Sequence, residues 1–141
     1  MKENFQLLGT GGSTGIPVLG CQCHVCTSSD PLNKRLRTQG LLRLGNKNIL
    51  VDVGPDIRQQ CLLYGISHVD AIFITHHHED HIGGLDDIRG FYFARNREPI
   101  TVFLSENTYE MIASRFGYLL ERFRFIKLSD QKGEFSLFER T

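Results

Sequence analysis

Short apolar blocks broken by glycine, proline and asparagine set the pattern of this chain. Residues 5–8 read as a first strand that runs into Gly9-Thr10-Gly11-Gly12-Ser13-Thr14-Gly15, a stretch too rich in glycine for a helix and therefore expected as a loop. From Ile16 to about Gln39 no hydrophobic period holds, and a loop of that length in a compact domain usually carries function or a metal staple. Residues 41–44 and 48–53 flank Gly45-Asn46-Lys47 and predict a hairpin whose second arm ends at Asp52-Val53-Gly54-Pro55. Ile57, Cys61 and Leu62 have helical spacing within residues 56–64, with Gly65 as C-cap. Residues 71–74 form a buried strand that feeds a histidine cluster. Beyond it the spacing predicts a helix over residues 85–94 with Asp86 and Asp87 in its first turn, and a strand over 100–104. A helix over 106–116 follows, capped by Ser105 and extending as far as Leu120, then strands over 124–128 and 134–138. The order is strand and hairpin first, then alternating strand and helix, which is an α/β (α+β) arrangement in one domain, 1–141.

Composition adds limits rather than identity. Lysine plus arginine and aspartate plus glutamate each number 16, so no whole-chain field draws the protein to nucleic acid or to an anionic membrane. The apolar stretch near the N-terminus is too short for a signal peptide, and no run reaches membrane-spanning length; a cytoplasmic location and no membrane partner are expected. Thiols stay reduced there, so the crowding of Cys21, Cys23 and Cys26 fits metal ligation rather than disulfides, while the isolated Cys61 reads as a small buried apolar residue.

The strongest chemical signal is Thr75-His76-His77-His78-Glu79-Asp80-His81, placed directly after an apolar strand. Imidazole and carboxylate are ligands that divalent zinc, manganese and iron accept. On extended backbone, residues two apart face the same way, so His76 and His78 can converge on one ion and Asp80 and His81 can serve a second. By spacing alone His77, Glu79 and His81 form an equally good ladder. No histidine lies at helical spacing from Glu79 as the zincin motifs require. The N-terminal glycines fit neither the dinucleotide fingerprint, since Thr14 stands at the third glycine position, nor a phosphate-binding loop.

The histidine stretch resembles the H-x-H-x-D-H signature of the metallo-beta-lactamase superfamily, with His76, His78, Asp80 and His81 at the matching positions and Gly83-Gly84 after them. Asp52 resembles that family's acidic residue at the end of a hairpin strand, which implies that it orients the metal loop. Gly-Thr-Gly-Gly, then Gly-x-Pro, then Cys21-x-Cys23-x-x-Cys26, together with Gly84-Leu85-Asp86-Asp87-Ile88-Arg89, is similar to a narrower branch: the phosphoribosyl cyclic phosphate phosphodiesterases of the carbon-phosphorus lyase pathway, related to ribonuclease Z. That resemblance implies a structural zinc on Cys21, Cys23 and Cys26, with a fourth ligand open among His24, His68, Cys61 and a residue of the C-terminal half. It also implies about half of a four-layer αββα sandwich, a mixed sheet with helices on one face.

The implied function is metal-dependent hydrolysis of a small cyclic or nucleotide-like phosphodiester, with two divalent metals (zinc or manganese) in the complete site. Asp80 would serve as ligand and proton acceptor, and Arg35 and Arg37 as possible phosphate contacts. The family pattern requires a further histidine for each metal and a bridging aspartate, yet no histidine follows His81 and Asp130 is the sole aspartate beyond Asp87. The expectation is therefore an N-terminal portion, truncated and inactive alone, that associates with a missing C-terminal half or with another copy of itself. The alternatives are a non-catalytic, zinc-stapled assembly module, an RNA-end-processing nuclease of the same fold, and a thioester hydrolase. The neutral charge weighs against the nuclease and the cysteine loop against the thioester hydrolase.

Overall fold

A computed structural model describes residues 3–129 of the chain. Six strands form one mixed sheet in chain order: β1 (Asn4–Gly9), β2 (Gln39–Leu44), β3 (Lys47–Val51), β4 (Ala71–Phe73), β5 (Ile100–Ser105) and β6 (Phe123–Leu128). The first three pair antiparallel, and β3 through β6 run parallel. The hairpin of β2 and β3 turns through Gly45-Asn46, with φ of 59° at Gly45, a backbone sign that glycine adopts without penalty. The parallel half needs crossovers, and these carry α1 (Ile57–Leu63), α2 (Glu79–Ile82), α3 (Arg89–Ala94) and α4 (Glu106–Arg115).

Side-chain alternation sorts the sheet into two faces. Leu41, Leu50, Ile72, Val102 and Leu104 point to the face that receives Ile57 and Cys61 of α1, Ile82 of α2 and Ile112 of α4, forming the main core. Ile49, Ala71 and Phe103 are buried on the opposite face, where the Phe73 and Phe103 rings stack with centroids 5.3 Å apart. The mixed sheet with helices on one face matches the sequence expectation. Cys61 lies in the core at 7% exposure, where burial pushes its thiol up to about 11.

Two boundaries differ from those expected. Residues 85–88 are not helical; Leu85 N–H bonds back to Ile82 and Asp87 N–H to Gly84, successive tight turns that keep Leu85 and Ile88 buried. In this segment Gly84 N–H bonds to the Val53 carbonyl, and a Cβ on Gly84 would fall on the Gly54 carbonyl, so the turns pack tightly against the residues after β3. Asp86 and Asp87 thus precede α3 instead of occupying its first turn. Likewise α4, capped by the Ser105 hydroxyl accepting from Thr108 N–H, stops at Arg115; Phe116 turns to φ −119° to stay buried, and Gly117–Arg122 continues as a 3-10 helix. The strand expected over 134–138, and Asp130, lie outside the described residues.

Candidate metal centre

The parallel strands of the sheet all deliver their C-terminal ends to one edge, and the site is assembled there. Asp52, directly after β3, adopts φ 64°, a conformation that aspartate tolerates better than most residues. That twist turns its 5%-exposed carboxylate toward the end of β4. Oδ1 accepts from Thr75 N–H (2.8 Å), and Thr75 Oγ1 donates to the same carboxylate (2.8 Å to Oδ2). His81 Nδ1 lies 2.7 Å from Asp52 Oδ2. The carboxylate can accept a hydrogen bond from His81 Nδ1, which makes Nε2 the ring nitrogen available to an ion.

The histidines leave β4 on extended backbone, with His78 at φ −65°, ψ 153° as the N-cap of α2. The His76 and His78 rings meet at 4.7 Å and those of His76 and His81 at 3.9 Å, while His77 contacts only the flank of His78 at 5.5 Å. His76, His78 and His81 share a face, and Asp80 Oδ2 sits 3.3 Å from His81 Nε2. Glu79 points elsewhere, to an ion pair with Arg115 of α4. Desolvation, followed by the like charges of His81 and His78, holds His76 below its ordinary value, toward the neutral imidazole that ligates metal.

Residues that carry no motif hold this loop in place. Gln39, 1% exposed at the start of β2, donates from Nε2 to the Asp80 carbonyl (2.8 Å) and accepts at Oε1 from Gly54 N–H (2.9 Å). Val53 N–H bonds to the His81 carbonyl and Gly84 N–H to the Val53 carbonyl, both at 2.8 Å. A Cβ on Gly54 would fall on the Asp80 carbonyl, and one on Gly84 would fall on the Gly54 carbonyl, so the two glycines are sites of backbone-to-backbone contact. Sequence reasoning missed Gln39. Its one signal is a polar residue opening an apolar strand.

The cysteines form a second donor set. Cys21, Cys23 and Cys26 place their sulfurs within 4.8 Å of one another; among the described residues no other group of three or more such side chains is gathered so tightly. Val18 N–H reaches Cys26 Sγ at 3.4 Å. The Cys23 thiol is drawn down to about 7, first by the Cys26 backbone N–H and then by hydrogen bonds from Cys21 and Cys26. Cys26 is pushed up instead: the Val18 N–H favours its thiolate, but desolvation and the neighbouring sulfurs outweigh it. Three soft, clustered sulfurs suit a tetrahedral zinc site lacking one ligand. None of the three candidate fourth ligands joins them: Cys61 is in the core, His68 is bound to Asn48 and Asp70, and His24 lies outside the cluster.

Of the two arginines considered for phosphate contact, Arg37 is committed elsewhere. Its guanidinium pairs with Asp56 at 2.8 Å, and its Nε donates to the Ser13 carbonyl, tying the glycine loop to the start of α1. Arg35 is exposed, with Nε donating to the Leu32 carbonyl at 3.0 Å.

This mixed sheet and this edge-mounted histidine loop belong to a known class. Residues 47–134 match the beta-lactamase superfamily domain, and the chain belongs to that family, with the metallo-beta-lactamase fold of hydrolases. Among individual relatives, it is 36% identical to a diphosphatase of the PhnP family whose crystal structure superposes with a TM-score of 0.88, covering 96% of this chain and 54% of that one. Zn(2+)-bound PqqB from Methylobacterium extorquens shares the fold at TM-score 0.70 and 18% identity, covering 90% of this chain and 46% of that one. In sequence, an octanoyltransferase of Porphyromonas gingivalis is 44% identical over 117 residues, 82% of this chain. The chain spans only 23% of that protein's length. No helix among the described residues is long and apolar enough to cross a membrane.

Proposed function

We propose that this chain supplies part of the active site of a metal-dependent phosphodiester hydrolase, with His76 and His78 offered to one divalent ion and Asp80 and His81 to another. The observation that carries the reading is the Thr75–Asp52–His81 network, which orients one imidazole for ligation at the edge where the other two converge. The donor set of imidazoles and one carboxylate suits zinc or manganese. Bound divalent ions supply Lewis acidity, lowering the pKa of water and neutralising charge on a phosphoryl group. The protein's own contribution is positional: Asp52 holds the His81 tautomer, Gln39 fixes the Asp80 backbone, and the Asp80 carboxylate stands ready to accept a proton. Likeness to a diphosphatase at 36% identity favours a phosphoryl substrate. The four residues give each ion about two protein ligands, so the remainder must come from outside the described residues. The full-length protein, loaded with zinc or manganese, is expected to hydrolyse bis(p-nitrophenyl) phosphate. Loss of that activity in His76→Ala is the expected result, and its persistence would refute the assignment.

One observation favours a second reading for the chain in isolation. The cysteines are the tightest donor set among the described residues, so a zinc-stapled module with weak histidine sites is the rival. Metal analysis separates the two: about one zinc, lost with the cysteines and indifferent to His76→Ala, supports the module.

A further inference from the structure

Cys21, Cys23 and Cys26 hold their sulfurs within 4.8 Å of one another as free thiols, on a loop between β1 and β2. Cys23 is exposed, while Cys21 and Cys26 are half-buried. The Cys23 carbonyl accepts from Thr27 N–H (3.0 Å) and from Thr27 Oγ1 (2.9 Å), which closes one helical turn over residues 23–27. Side chains three apart on such a turn are neighbours on one face, so Cys23 and Cys26 stand side by side. Cys21 precedes the turn, with its backbone N–H bonded to the Val18 carbonyl at 3.1 Å. Moving two sulfurs from no more than 4.8 Å to the bonded separation of about 2 Å is within reach of side-chain rotation and a small backbone adjustment.

The loop is fastened at its base. Ile16 and Arg35 exchange backbone hydrogen bonds of 2.9 and 2.8 Å, Gly11 N–H bonds to the Leu36 carbonyl, and Arg37 joins Asp56 to the Ser13 carbonyl. None of these contacts involves a sulfur. The chemical state of the cysteines can therefore change while the loop stays anchored to the sheet. Three sulfurs together can ligate a metal, but a bond between two of them removes two of the three donors, so ligation and disulfide formation exclude each other.

We propose that Cys23 and Cys26 are a reversible oxidation site, at which hydrogen peroxide converts the dithiol to a disulfide and so removes the loop's capacity to hold a metal. The Cys23 thiolate attacks one peroxide oxygen; the O–O bond breaks, a sulfenic acid forms, and the departing hydroxide takes up the thiol proton as water. The Cys26 thiol then attacks the Cys23 sulfur; the S–S bond forms, the S–O bond breaks, and a second water leaves. The two sulfurs give up two electrons in all, and a dithiol reductant returns them. In the metal-free full chain, peroxide should lower the thiol count, read in denaturant, from four to two, and dithiothreitol should restore it. Peptide mapping should place the bond between Cys23 and Cys26. Cys21→Ser should still lose two thiols, whereas Cys26→Ser should leave a sulfenic acid on Cys23 that dimedone captures. With zinc added first, peroxide should release zinc to a chromogenic chelator in step with thiol loss, and equally in His76→Ala, which takes the histidine cluster out of the reading. A bond that maps to Cys21 or between two chains, a thiol count that stays at four, or zinc retained at peroxide concentrations that oxidise the metal-free chain would each overturn the proposal.

Discussion

Replacing Gln39 with leucine tests whether the metal loop is held by a side chain that belongs to no motif. The change keeps approximate volume but removes both hydrogen bonds. Gly54 N–H, whose bond to Gln39 is fully buried, loses its acceptor, and the partly buried Asp80 carbonyl loses its donor. An orphaned buried group costs about 1–3 kcal/mol. Counting the first in full and the second at about half gives roughly 2–4 kcal/mol, of which the extra apolar burial of leucine offsets about 1 kcal/mol. The expected net loss is about 1–3 kcal/mol, read as a drop of about 1 M in the urea midpoint at unchanged slope. Gln39→Glu provides the internal control. A protonated glutamic acid keeps one acceptor and one donor in the same shape, so that variant should approach wild-type stability in mild acid and lose it as the buried carboxyl ionises at higher pH. If Gln39→Leu unfolds within about 0.5 kcal/mol of wild type, the clamp does not hold the loop and the argument fails.

Gly54→Ala forces a methyl group onto the Asp80 carbonyl and should destabilise by about 1–3 kcal/mol or more, whereas alanine at Gly12, where a Cβ meets nothing within 4 Å, should be nearly silent; thermal melts of the pair check this. Asp52→Asn should reduce zinc or cobalt affinity at the histidines by about 10–100-fold, measured by competition with a chromogenic chelator, because the amide no longer enforces the His81 tautomer. Cys61, with its pKa raised to about 11 by burial, should resist thiol reagents at pH 8 while the clustered cysteines react. The sign follows from linkage: the folded thiol stays neutral where the unfolded one ionises, so its contribution to stability is intact below about pH 9 and is lost as pH rises toward 11. Chelation of metal from the purified chain should lower its melting temperature, and Cys23→Ser should abolish that shift if the metal sits on the sulfurs.

The sheet was legible because its strands are short apolar runs, several of them bounded by glycine or proline, whereas spacing alone left the register of the histidines ambiguous and only the family pattern chose between the two ladders. What escaped were tertiary decisions. Residues 85–88 have helical spacing, yet they form successive tight turns next to Gly84, which packs against Gly54 thirty positions away in sequence, a tertiary contact that spacing does not show. Gln39 looked like the edge of a loop because a buried side-chain amide bridging two backbone groups leaves no periodic trace. Arg37 read as a free cation, since nothing in the sequence links it to Asp56. The cysteine spacing predicted clustering, but the unequal thiol acidities depend on how backbone N–H groups, desolvation and the neighbouring sulfurs balance at each one.

The hydrogen bonds from Val53 to His81 and from Gly84 to Val53 make the histidine loop, in effect, an extension of β3. Amide protons in that loop should then exchange on the timescale of the central strands, not of surface turns. A site built this way opens only when the sheet itself opens. An ion held by these side chains would enter and leave at the exposed edge without loosening the scaffold, so the ligand geometry would be retained in its absence.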